Sequence, residues 1–363
     1  MIITLIIFTI IMLLIIIFNK RAVPAFLYHQ VNPISNVSPE LFEEHLKVIK
    51  EYKMNTITIS EFYNKEVPTN SILLTFDDGY FDNYKYVFPL LKKYNMKATI
   101  FLNTLYIMDK RETEPEIKDN NTVNLEAMKE YIKSGKATIN QYMSWEEIKE
   151  MYDSSLIDFQ AHSHKHMAMF VDTKIEGLTN KNRMEAPELY LYGELEDNFP
   201  SFPKRGEYTG KAILIKKEFF NIFKEFYEKN IENKITDKNE ILKKCQEFID
   251  ENKEYFSIES EAEYRKRIEE DFSENKKIIE KNLGNEVKFF CWPWGHRSKE
   301  TIKVLKELGV VGFISTKKGT NSMKANWDMI RRIELRNYSV KKFKINLLLA
   351  RNLILGKIYG WIS

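Results

Sequence analysis

Cysteine is nearly absent. The chain has two, Cys245 and Cys291, too few and too far apart for a disulfide framework or a thiolate zinc site. Charge of one sign is not in excess either. Against 55 lysines and arginines stand 52 aspartates and glutamates, so the basic footprint of a nucleic-acid binder is missing and no nucleic-acid partner is expected. Histidine is scarce, with six in the chain, yet three of them fall within His162–His166. No internal repeat and no low-complexity linker breaks the sequence. Hydrophobic residues make up 44%, ample for a packed core, and 363 residues bound the chain to one large domain or two ordinary ones.

What is present begins with an apolar N-terminus. Met1 to Phe18 is apolar apart from two threonines, and Asn19, Lys20 and Arg21 follow. That length just suffices to span a bilayer core. A cleaved signal peptide would need a basic start and a small-residue cleavage site, and neither is there. Residues 1–18 are therefore expected to form an uncleaved transmembrane helix at the cell membrane, which makes the membrane a partner. The two charges after it favour a cytoplasmic body. At the other end, residues 341–363 form a basic, leucine-rich, aromatic-ended segment, from Lys341-Lys342-Phe343-Lys344 to Trp361. It suits a membrane interface and equally a terminal helix packed on the domain.

Between the ends, short apolar runs alternate with helical spacing. Ala25–Tyr28, Thr56–Ile59, Ser71–Phe76, Lys97–Leu102, Ile157–Ala161, Val287–Cys291 and Val310–Ile314 read as strands. Helices are expected from Ser38 to Tyr52, Tyr80 to Tyr94, about Ala262 to Leu283, and Ser298 to Leu308, with a short one capped by Ser144 and Glu147. This alternation argues for an α/β arrangement with parallel strands. Residues 104–140 look polar and irregular. Residues from about 171 to 260 break the pattern and read as an insertion of a proline-bearing loop plus helices.

Four clusters fall where expected strands end. Thr75-Phe76-Asp77-Asp78-Gly79 puts two adjacent carboxylates at the end of a buried strand, where α/β folds place active sites; Asp-Gly is also a common turn pair. His162-Ser163-His164-Lys165-His166 follows another strand. His162 and His166 share a face if the chain enters a helical turn there. One acid and two histidines make a three-ligand site with an open position, a composition that suits Zn²⁺; a plain surface histidine cluster is the alternative. Phe290-Cys291-Trp292-Pro293-Trp294-Gly295 is either an aromatic turn or a wall for a sugar ring. His29, after the first strand, would alone be more often structural.

Together these pieces resemble the polysaccharide deacetylases, carbohydrate esterase family 4. The TFDDG strand end and the H-S-x-x-H motif match that family's signature. So do the runs from Met143 to His166 and from Phe272 to Gly295, and Tyr28-His29 resembles the branch that includes poly-N-acetylglucosamine deacetylases. The resemblance implies a distorted (β/α) barrel over residues 22–340 that carries the helical insertion. It implies that Asp78, His162 and His166 hold a divalent metal, with Asp77 as general base and His29 as general acid. Trp292, Pro293, Trp294 and Arg332 would lie on the substrate side. The substrate would be an N-acetylated glycan, and the body would face the extracytoplasmic side, against the vote of Lys20 and Arg21. Two departures stand out. Many members have an arginine near the base where this chain has Phe290-Cys291, and Arg331 or Arg332 could stand in for it. The insertion is also large enough to alter substrate choice. The competing readings are a metal-dependent amidase on a lipid-linked or non-sugar N-acyl substrate, and an inactive membrane-bound glycan-binding protein. Oligomeric state is not written in the sequence.

Overall fold

The seven apolar runs become parallel strands β1 (Ala25–Tyr28), β2 (Asn55–Ile57), β3 (Ser71–Phe76), β4 (Ala98–Asn103), β5 (Ile157–Ser163), β6 (Phe289–Cys291) and β7 (Gly312–Ile314), and a two-residue strand too short to show a pattern, β8 (Ile333–Glu334), joins them as an eighth. Every residue of β1, β3 and β4 is buried, as expected of a parallel sheet covered on both faces. The computed structural model describes residues 2–17, 21–183, 185–193, 196–336 and 339–362.

The strands run in the order β7-β6-β5-β4-β3-β1-β8, with β2 beside the first half of β3. The sheet curls back on itself. Ile330, just ahead of β8, bridges Ile314 of β7, and the amides of Ser315 and Ile330 donate across that seam. The result is a curled parallel sheet whose two edges meet, and the C-terminal ends of its strands gather at one mouth. Outside it the helix Pro39–Glu51 is capped by Ser38, with Pro39 in its first turn. The 23-residue helix Glu261–Leu283 lays Ile268, Phe272 and Ile279 against the sheet.

Several elements depart from the sequence reading. The stretch 104–140 is not wholly irregular. It holds the helix Asn120–Ser134, capped by Asp119, whose carboxylate accepts from the amides of Asn121 and Thr122. The low apolar content of that helix hides its period. The insertion has helices Glu218–Asn230 and Lys238–Glu251 as expected, plus short antiparallel strand pairs such as Ala168–Phe170 with Lys204–Gly206. Its phenylalanines form a satellite core around Phe202, Phe219 and Phe223. The C-terminal segment divides in two. Helix Val340–Ala350 buries Phe343, Leu347 and Ala350 on the domain, while Leu353–Ile362 buries little beyond Gly356.

The transmembrane helix expected over residues 1–18 is not supported. The described helix, Ile2–Ile17, has 16 residues, about 24 Å at 1.5 Å per residue, against a hydrocarbon core of about 30 Å. Among the described residues no helix is long and apolar enough to cross a membrane. Met1, Phe18, Asn19 and Lys20, on which that expectation also drew, lie outside the described residues.

Candidate active site

Asp77 and Asp78 leave the end of β3 at the mouth, and the backbone sends them to different partners. Asp78 and Gly79 both have left-handed backbone, with φ of +78° and +85°. The turn that results presents neighbouring carboxylates to two separate surroundings. Glycine adopts such backbone freely; at Asp78 it costs of order 1–3 kcal/mol and persists only where the surrounding structure enforces it. A Cβ at Gly79 would lie 2.9 Å from Leu102 Cδ2. Gly79→Ala is accordingly expected to destabilise the fold by about 1–3 kcal/mol and to weaken metal binding by displacing Asp78; urea unfolding and a zinc titration check both.

Asp77 is buried and forms a two-pronged ion pair with Arg332. Nη1 donates to Oδ1 at 2.7 Å and Nη2 to Oδ2 at 2.8 Å. The guanidinium is itself pinned, donating through Nε to the Ser315 carbonyl and through Nη1 to Thr75 Oγ1. Burial works against the charge on Asp77, but Arg332 overrides it and holds the carboxyl below its usual range. Cys291 completes this corner: its thiol lies 3.4 Å from Asp77 Oδ2 and accepts from Arg332 Nη2 at 3.0 Å. Burial pushes that thiol up, so it remains protonated.

Asp78 faces imidazoles instead. Its Oδ1 is 3.4 Å from His162 Nε2 and 3.6 Å from His166 Nε2, and it accepts from Asn103 Nδ2 at 2.9 Å. Burial opposes its charge too, yet His166 and His162 hold it well below the ordinary carboxylate range. His162 Nδ1 lies 2.8 Å from the Cys291 carbonyl. That bond places a proton on Nδ1, the usual arrangement behind a metal-ligating histidine. Burial opposes a charge on His162, but Cys291, Asp78 and Asp77 hold the ring well above the ordinary imidazole range, so Nε2 also carries a proton toward Asp78 that a bound cation would displace. Burial lowers His166 to about 4, so it is neutral at physiological pH.

The donor set fits a divalent cation. One carboxylate oxygen and two imidazole nitrogens lie within 4.8 Å of one another. Asp77, His162 and Cys291 are equally close, but Arg332 already occupies both Asp77 oxygens and its charge repels a cation. The two histidines converge differently from the expectation. His162 stands inside β5, not in a helical turn, and His166 is swung back by left-handed backbone at φ +55°. A turn on the helix Glu261–Leu283 secures this: Asp271 accepts from the amides of His164 and Lys165 at 2.8 and 3.2 Å, and Asn275 Nδ2 donates to the Leu102 carbonyl.

The remaining site residues divide. His29 follows β1 at the same mouth, half-exposed, and its carbonyl accepts from Asn83 Nδ2; its imidazole is near enough to act electrostatically on Asp77, Asp78 and His166. Trp294 has left-handed backbone and is 46% exposed, with its ring 5.3 Å from that of His166. It walls a cavity of about 400 Å³ together with Asn103, Tyr106, Asn124 and Pro187. Trp292 does not line this groove. It is buried, stacked on Phe313 and edge-on to Phe290, because side chains alternate along the strand: Cys291 faces the barrel interior and Asp77, while Trp292 shares the helix-facing side with Phe290. Pro293 is buried beside it. Arg332 is fully buried behind Asp77 and is therefore a support for that carboxylate, not a surface for substrate. The sequence reading missed Asn103, Asp271, Asn275 and Cys291. Asn103 carried a usable signal in its place at a strand end, and Asp271 and Asn275 another, as polar residues four apart on an otherwise apolar helix face.

The chain that carries this mouth matches a known class of protein. A model of the polysaccharide deacetylase family matches residues 64–187 and 230–313, and the chain belongs to that family. Staphylococcus aureus poly-β-1,6-N-acetyl-D-glucosamine N-deacetylase is 29% identical over 183 residues, covering 49% of this chain and 52% of that protein. YxkH of Bacillus subtilis, named for the same family, is 36% identical over 104 residues, covering 26% of this chain and 37% of its own length. The chain thus spans about half or less of the curated relatives it matches. Among solved structures, the de-N-acetylase of Aggregatibacter actinomycetemcomitans superposes with a TM-score of 0.57 at 17% identity, covering 88% of this chain and 98% of that one. The BpsB deacetylase domain of Bordetella bronchiseptica gives 0.55 at 18%, covering 86% and 96%. At these identities the two structures share the fold.

Proposed function

We propose that the chain is a hydrolase of carbon–nitrogen bonds other than peptide bonds, which removes the N-acetyl group from an N-acetylated glycan. The observation that carries this reading is the division of labour between Asp77 and Asp78. One carboxylate is held ionised by Arg332 and kept from a cation; the other faces two imidazoles whose geometry suits one. A divalent ion at Asp78, His162 and His166, Zn²⁺ by its donors, would supply Lewis acidity to the acetyl carbonyl and to water. Asp77 then takes the proton of the attacking water, with Arg332 keeping the carboxylate aimed and charged. His29 delivers a proton to the departing amine as the C–N bond breaks and acetate leaves. Without that proton the amine is a very poor leaving group. Trp294 offers a flat apolar wall beside His166 for the sugar ring.

Trp294→Ala is expected to raise KM about tenfold, the worth of about 1.4 kcal/mol of contact, with kcat little changed, the pattern of a lost ground-state contact. The apolar helix Ile2–Ile17 supports attachment at the cell membrane, with the domain on the extracytoplasmic side where this family usually works. The direct test measures acetate release from N-acetylglucosamine oligomers before and after chelation and with Zn²⁺ restored. Release that disappears with the metal and returns with it, and is absent in His162→Ala, supports the reading. A metal-loaded protein that releases no acetate from any such oligomer overturns the glycan substrate. A protein that binds no metal overturns the site.

A further inference from the structure

The helix Leu353–Ile362 is turned the wrong way round for a soluble domain. The face it presents to the barrel is glycine. A Cβ at Gly356 would lie 2.5 Å from Thr320 Cγ2, and one at Gly360 2.5 Å from the Lys318 carbonyl oxygen. The glycines let the helix backbone lie directly on the loop 318–320. The face it presents outward is apolar: Ile354, Ile358, Trp361 and Ile362 are 41%, 49%, 88% and 74% exposed. Their spacing of four, three and one is that of a single helical stripe. A surface helix normally buries such a stripe, whereas here the stripe is what remains uncovered. On the preceding helix Val340–Ala350, Ile345 and Leu348 are exposed as well.

Charge narrows the choice of what covers this stripe. From Val340 to Ile362 there are five basic residues, Lys341, Lys342, Lys344, Arg351 and Lys357, and no acidic one. Lys317, Lys318 and Lys324 lie in the neighbouring loop. Lys344 is engaged by Glu51 at 2.9 Å, but the segment's own charges are all positive, and an apolar stripe ending in tryptophan within such a segment is the composition of a helix lying in a lipid interface, with the cations beside the stripe serving anionic headgroups.

Position adds to this. The Ala22 amide donates to the Arg351 carbonyl, Arg21 bridges Asn352, and Ala22–Val23 pair with Asn321–Ser322. The C-terminal helix therefore begins where the chain enters the domain from its apolar N-terminal helix. That point precedes β1, at the opposite end of the strands from Asp77 and His162.

We propose that Leu353–Ile362 is a second membrane contact, seated in the interface of an anionic bilayer. The N-terminal end of the barrel rests on the lipid and the catalytic mouth points away from it. Seating needs neither the metal nor the reaction, so this proposal stands or falls apart from the deacetylase reading.

The test uses the full chain bound to vesicles of phosphatidylcholine and phosphatidylglycerol with brominated acyl chains. The emission contributed by Trp361 is the difference between the wild type and Trp361→Phe. The N-terminal helix holds no tryptophan, so its own insertion leaves this difference untouched. The expected result is a Trp361 contribution that is blue-shifted and at least half quenched, and that recovers in Ile354→Ser/Ile358→Ser. An unchanged melting temperature shows that these surface variants fold. A Trp361 contribution left unquenched on vesicle-bound protein overturns the proposal. So does sedimentation, in the absence of vesicles, showing a dimer that Ile358→Glu abolishes, since the stripe would then belong to a second copy of the chain.

Discussion

Asp77→Asn is expected to lower kcat for acetate release by about 10²–10⁴-fold, the range for loss of a general base, while zinc still binds. Asparagine keeps the shape of the side chain but accepts no proton at neutral pH. The ion would remain because Asp77 contributes no free oxygen to it: both are engaged by Arg332. KM is expected to change little, because the effect falls on the transition state and not on substrate binding. Asp78→Asn should behave differently, losing zinc and activity together. Paired measurements of zinc affinity and kcat on the two neighbouring variants separate the roles. Equal zinc loss in both would mean that the two carboxylates share one job.

Arg332→Gln is expected to produce the largest loss of stability. It leaves a buried carboxylate without its cation, a change that typically costs about 3–5 kcal/mol. It also moves the pH dependence, and the sign follows from the direction of the shift. Arg332 depresses the Asp77 carboxyl in the folded state. The pair's stabilisation is therefore complete above about pH 4, the ordinary aspartate value, and fades only as pH falls through the depressed one. Without Arg332, burial dominates and the carboxyl rises. In the variant, the acid limb of kcat/KM should move toward neutral pH, and stability should fall as pH rises past about 4, the reverse of the wild type. Arg332→Lys should restore part of the charge but not the two-pronged geometry. A pH–rate profile with an unmoved acid limb would remove Asp77 from the role of base.

Much of this architecture was legible in the residues. Strand ends carry the chemistry in α/β folds, so Asp77, Asp78, His162 and His29 could be placed at one mouth from the periodicity that precedes them. What was not legible depends on backbone conformation or on distant pairing. The histidines at 162 and 166 suggested a helical turn, because a spacing of four has that meaning on a helix; a strand followed by a left-handed residue brings the same two rings to the same carboxylate, Asp78. Trp292 and Trp294 looked equivalent in Cys291-Trp292-Pro293-Trp294. Only the positive φ at Trp294 sends one ring to the groove while the other joins the core. The choice between Arg331 and Arg332 rests on which of two neighbours points into the barrel, and the sheet's closure decides it. The helix Asn120–Ser134 escaped because its caps, and not its apolar period, define it.

Asp77 and Arg332 are 255 residues apart in the chain. A ribosome extending the polypeptide delivers the two carboxylates first, the histidines next and the guanidinium after both. Until the seam between β7 and β8 shuts, the acid has no counter-charge and the barrel has no floor beneath it. A chain that stopped before Arg332 would contain Asp78, His162 and His166 yet lack the guanidinium that chiefly holds the Asp77 carboxyl ionised. In this sense Arg332 is the last piece to reach the corner that Thr75, Asp77 and Cys291 share with it.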